Sequence, residues 1–161
     1  MNDVLVRIAR EVDLASSSQE RLRLEFGYAC AGRVRHMLED PAVVDCLQAL
    51  RQFLDAGISR NTFDEYVARA AQLANQQQGS KSIDGVGHAA VSATYSVANA
   101  LAGKALQAAD YAAYAAVYGQ GGYGAVADRA SFEPEHAWQA SCLSVLIGSV
   151  QARQIGRSGS G

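Results

Sequence analysis

The sequence predicts an all-α protein: a compact single-domain array of six or seven mostly antiparallel helices. Three observations carry this. The 161 residues include only two prolines, Pro41 and Pro134, so long stretches contain nothing that breaks a helix. Alanine, the best helix former, is abundant. Apolar residues recur at three-four spacing, with no sustained alternation of β-branched residues. Apolar residues make up 49% of the chain and charged ones 19%. A chain of about 150 residues removes roughly 68–70% of its unfolded surface from water, so a core can form without metal or disulfide. Residues 1–155 are expected to form the domain, and 156–161 (GRSGSG) a flexible tail.

Residues 4–12 read as a short first helix, with Val4, Leu5, Ile8 and Val12 on one face. Ser17-Ser18-Gln19-Glu20 has the spacing of a capping box. It should open a helix reaching about Glu39, with Leu22, Phe26, Ala29, Cys30, Val34, Met37 and Leu38 as its apolar stripe. Asp40 suits an N-cap and Pro41 the first helical position, where no amide hydrogen is needed. The helix they start turns Val43, Val44, Leu47, Leu50, Phe53 and Leu54 inward, and Gly57 is its expected left-handed stop. Asn61 is expected to cap a fourth helix bearing Phe63, Tyr66, Val67, Ala70, Leu73 and Ala74, ended by the polar run 75–79.

Ser82 or Asp84 should start the next helix, running to about Ala102. Gly103 turns the chain, and a further helix follows from about Lys104 to Tyr118. Their inward positions are small: Ala89, Ala90, Ala93, Val97, Ala100, then Leu106, Ala109 and Ala113. Small side chains let helix axes approach closely, so a tight central hairpin is expected. Gly119-Gln120-Gly121-Gly122 disfavours helix and predicts a loop to about Glu133. Pro134 then opens a last helix with Trp138, Cys142, Leu143, Leu146, Ile147 and Val150 facing inward.

Composition narrows the function classes. The formal net charge is −2, without the excess of basic residues that counterion-driven nucleic-acid binding requires. Twelve of the fourteen basic residues are arginine, suited to forked ion pairs between helices. Cys30, Cys46 and Cys142 are widely spaced and form no CxxC. They read as reduced core residues of a cytoplasmic protein. The first fifteen residues lack the apolar segment of a signal peptide. Residues 86–101 are too rich in alanine and serine for a membrane span.

Catalytic and metal signatures are sparse. The histidines, His36, His88 and His136, are far apart, and no HExxH or GxSxG occurs. Glu133 and His136 have ExxH spacing, but a di-iron bundle needs two such motifs and two further glutamates. Gly85-Val86-Gly87-His88 follows no strand and so reads as close helix packing, not as a phosphate loop. No cofactor and no metal are therefore expected, and no enzymatic activity. Charge is uneven: residues 37–65 hold six acids (Glu39, Asp40, Asp45, Asp55, Asp64, Glu65) and two bases (Arg51, Arg60), while each flank carries +1. Such a block is commonly a solvated face. It also suits a basic protein partner.

Three segments, RLRLEFGYACAGRVRHMLED, DGVGHAAVSATYSVANALAGKALQAADYAAYAA and EHAWQASCL, together resemble the Imm-five-like immunity proteins of bacterial polymorphic toxin systems. Cys30, Gly87-His88-Ala89 and Trp138-Gln139 occupy the places of that family's cysteine, GHA and W-Q positions. The resemblance spans residues 22–146. It departs where family members often carry a second histidine, here Tyr95, and where residues 119–131 look longer than usual. The resemblance implies a cytoplasmic protein of interbacterial competition, one that binds a cognate toxin domain and blocks its active site or substrate access. Asp45, Asp55, Asp64, Glu65, Tyr118 and Tyr123 are the expected partner contacts; tyrosine gives large contact area at low entropy cost. Cys30, Gly87, His88 and Trp138 are expected to be structural. No nucleic acid, membrane or cofactor enters this reading, and no residue pattern requires a homo-oligomer. The competing expectation is a helical ligand-binding module with a small pocket near His88 and Tyr95, which stand seven apart on one helix face.

Overall fold

Asn2 places its side-chain oxygen on the backbone N–H of Leu5 and so starts the first helix, α1 (Asp3–Glu11). The computed structural model describes residues 2–77 and 85–158. Six more α-helices follow: α2 (Glu20–Arg33), α3 (Pro41–Leu54), α4 (Arg60–Gln76), α5 (Gly85–Leu101), α6 (Ala105–Ala127) and α7 (Glu133–Ser158). Short 3-10 turns cover Ser17–Gln19, Arg35–Met37 and Arg129–Phe132. Among the described residues there is no strand, and the all-α class stands.

Several boundaries differ from expectation, each for a local reason. The Ser17–Glu20 capping box does not form. Ser17 lies in a 3-10 turn, α2 starts without a side-chain cap, and Glu20 pairs with Arg60. The expected helix to Glu39 is split at Val34, whose N–H bonds back to Ala31 in a tightened last turn. Asp40 and Pro41 act as read, Asp40 accepting from Ala42 N–H at 2.9 Å. The left-handed residue after α3 is Ala56 (φ +61°), not Gly57. Gly57 instead donates to Gln52 O at 2.7 Å. Ser59, not Asn61, caps α4 by accepting from Thr62 N–H.

The largest departure is at residues 119–131. Helix α6 runs on to Ala127, broken only at Gly122, whose φ of +62° and ψ of −147° are non-helical. The glycines do interrupt the helix, as read, but at Gly122 alone, and helical turns resume on both sides of it where a loop to Glu133 was expected. At the other end of the chain, α7 continues through Ser158, so 156–158 are helical. Residues 159–161 of the expected tail, and the expected start of α5 at Ser82 or Asp84, lie outside the described residues.

The alanine-rich pair α5 and α6 packs as the expected hairpin, turned by Gly103 at φ +74°. Ser96 Oγ donates to Ala108 O at 2.8 Å across it. Helix α2 lies against both. Gly27 makes that approach possible, since a Cβ there would sit 3.1 Å from Ala100. Two apolar clusters flank this centre. One joins α3 and α4 to α2 and α5 through Leu24, Leu47, Leu50, Phe63 and Val97. The other joins α1 and α7 to α2 and α6 through Leu5, Leu22, Phe26, Ala112 and Leu143.

Candidate functional site

Tyr111, Tyr114 and Tyr118 recur at three-four spacing along α6 and therefore share one face. They carry most of an aromatic ridge. Tyr111 stacks on Tyr95 of α5, centroids 5.2 Å apart. Tyr114 lies between Tyr118 at 6.3 Å and Phe132 at 5.2 Å, and Phe132 continues to His136 at 5.7 Å. At the far end, the break at Gly122 brings Tyr123 back over the start of α5. Its hydroxyl shares a 2.5 Å hydrogen bond with His88 Nε2. The His88 ring stacks on Tyr118 at 5.4 Å and meets Tyr123 edge-on at 5.2 Å.

Three of these rings are held by their neighbours yet open to solvent, while Tyr118, Phe132 and His88 are half-buried between them. Tyr123 is 54% exposed, Tyr114 44% and Tyr111 36%, whereas the opposite side of α6 is a buried row of alanines. Exposed tyrosines held on rigid helices are the groups that anchor protein interfaces. His88 is half-buried in the fourth position of α5. It and Tyr95 share a face, but each is engaged by an α6 ring.

The expected contact residues divide into two groups. Tyr118 and Tyr123 come together on the ridge. Asp45, Asp55, Asp64 and Glu65 are all exposed but belong to α3 and α4, the other flank of the molecule. Asp55 spends both oxygens on Arg51, at 2.8 and 3.1 Å. Arg51 also reaches Glu25 at 3.3 Å. With Ser59 as the N-cap, Asp64 and Glu65 lie beyond the first turn of α4, so the positive helix end does not account for their placement. Sequence reasoning missed Tyr111, Tyr114, Phe132 and His136 as ridge members. The spacing of the first two was legible; Phe132 sits in the 3-10 turn read as loop, and His136 in the first turn of the expected last helix.

Cys30, Trp138 and Gln139, which carried part of the family resemblance, make their contacts within the fold. Cys30 is fully buried, and burial, then the neighbouring Cys142, pushes its thiol well above the ordinary range. That makes a poor nucleophile. Cys46 and Cys142 are also free thiols raised mainly by burial. Trp138 lies under the Arg33 guanidinium at 4.4 Å. Arg33 grips Glu135 with two hydrogen bonds, at 2.7 and 3.2 Å. Gln139 is buried and donates to Ala109 O at 2.8 Å, while its oxygen accepts from Asn2 at 3.4 Å. It thereby ties α7 to α6 and to the start of α1. Gly87 is buried at the start of α5.

Among the described residues no group of three or more His, Cys, Asp or Glu is placed to hold a metal. Among the same residues no helix is long and apolar enough to cross a membrane. No protein-family model matches the chain, and neither does any curated protein or solved structure.

Proposed function

We propose that this chain is an immunity protein that binds a cognate toxin domain and blocks its active site or substrate access. The observation that supports this best is the ridge of His88, Tyr111, Tyr114, Tyr118, Tyr123 and Phe132. Large, amphipathic rings project from a hairpin whose other side is close-packed alanine. Little side-chain entropy remains to be lost on binding, so contact area converts efficiently into affinity. The family resemblance supplies the partner class. Exposed Asp45, Asp64 and Glu65 on the other flank add a long-range field that speeds encounter with a basic partner, a role that weakens with salt. The reading needs no bond to be made or broken, and no cofactor.

The test is to read the neighbouring genes for a toxin-like domain and to co-express it with this chain. Restored growth and a complex that co-purifies are expected. Growth arrest that persists, with no complex at micromolar concentrations of both proteins, overturns the reading.

A further inference from the structure

A cleft of about 590 Å³ opens between α1, the turn after it, α2 and the start of α6. Val6, Leu14 and Leu106 give it apolar walls, and Arg10, Asp13, Arg23 and Lys104 are its charged lining. We infer that this cleft binds a small organic carboxylate, with an apolar chain laid along the walls and the carboxylate held by Arg23. Such a site works independently of the aromatic ridge.

Arg23 is fixed in place before any guest arrives. Its Nη1 donates to Leu14 O at 2.7 Å and to Ser16 O at 2.6 Å. Nε and Nη2 have no acceptor among the described residues, and that edge of the guanidinium matches the two oxygens of a carboxylate. Arg21, Arg33, Arg51 and Arg60 each meet an acid. Half-buried Arg23 meets none among the described residues, and the two neutral carbonyls leave its charge uncompensated. Arg10 and Lys104 are exposed. Asp13 is the one acid of the lining, which therefore carries +2. Other nearby charges do not reverse that sign. Glu20, three residues before Arg23, is taken by Arg60, and exposed Glu11 lies outside the lining. Asp110 belongs to the adjoining cleft and has the N-terminal ammonium as a charged neighbour. The helix ends act in the same sense. The N–H groups of Ala105, Leu106 and Gln107 have no acceptor among the described residues, whereas the carbonyls of Ala9 and Arg10 at the end of α1 are taken by Leu14 and Asp13 N–H. Apolar walls favour a guest with an apolar body over a bare inorganic anion.

The experiment is an NMR titration of the intact protein with octanoate, and in parallel with octan-1-ol, acetate and inorganic phosphate. Methyl resonances of Val6, Leu14 and Leu106 and the amides of residues 105–107 should move with octanoate. The other three probes should bind at least about tenfold more weakly. Arg23→Gln should weaken octanoate about tenfold or more, as loss of a charge-assisted fork does. Because Arg23 also holds the turn after α1, a second variant guards against misfolding: Arg10→Gln with Lys104→Gln, both exposed, should weaken octanoate about threefold or more. Arg69→Gln, loss of an exposed positive charge on α4, should leave it unaltered. N-acetyl-leucyl-leucine tells the carboxy terminus of a partner chain from a free acid: whichever of it and octanoate binds more tightly is the source, and its amide should bind more weakly than its acid. Equal affinity for octan-1-ol, tighter binding of phosphate, or unchanged octanoate binding in the Arg10, Lys104 double variant overturns the inference.

Discussion

Asp110 and His136 titrate in opposite senses. Burial raises the Asp110 carboxyl above its ordinary 3.8. Below that value it is protonated in both states and costs nothing; above its folded pKa the penalty is complete. Asp110→Asn should therefore stabilise the protein near neutral pH by a few tenths of a kcal/mol, the gain fading on acidification. His136 is depressed below 6.5, chiefly by burial. Its contribution is full above 6.5 and is lost as pH falls through that value towards the folded pKa. Urea unfolding at about pH 7 and pH 5 should show a stability loss that His136→Gln reduces. Arg33 presents a third case, since it joins Glu135 and covers Trp138. Its removal leaves a buried carboxylate with no forked partner. Arg33→Ala should cost about 1–3 kcal/mol in the same assay.

Two glycines decide how the helices meet. Gly27 lets α2 rest on α5, with Ala100 where a β-carbon would press. Gly27→Leu should destabilise by about 1–3 kcal/mol, read from the urea midpoint, because neither helix can yield without opening both cores. Gly122 holds a backbone conformation that L-residues rarely adopt. Gly122→Ala should cost about 1–3 kcal/mol locally, raise amide exchange in residues 119–127, and release Tyr123 from His88. Element by element, the helices with three-four apolar stripes were legible, as was the alanine hairpin. Boundaries set by tertiary contact were not. Ser59 and Asn61 are both good caps, and only the fold chooses Ser59. Glycines at 119–122 read as a loop because intrinsic propensity locates the break, here at Gly122, but not how soon the helix resumes beyond it.

At the scale of the whole molecule, α2, α5 and α6 form a centre with one apolar cluster on each flank. Asp45, Asp55, Asp64 and Glu65 face solvent on the α3–α4 flank, and the aromatic ridge stands on α6. Their charge was visible in the sequence; their separation from Tyr118 and Tyr123 was not, since it depends on which helices the two flanks receive. The two faces should thus fail differently. Reversing Asp45, Asp64 and Glu65 to lysine should slow association and flatten its salt dependence, with little change in dissociation.

Calorimetric titration of a toxin domain found by that co-expression with the wild-type chain and with the Tyr114→Ala, Tyr123→Ala double variant tests the ridge most directly. The ridge as anchor predicts at least about a hundredfold loss of affinity, a few kcal/mol for two hot-spot tyrosines, with helicity by circular dichroism unchanged. Wild-type affinity in a folded double variant would contradict it.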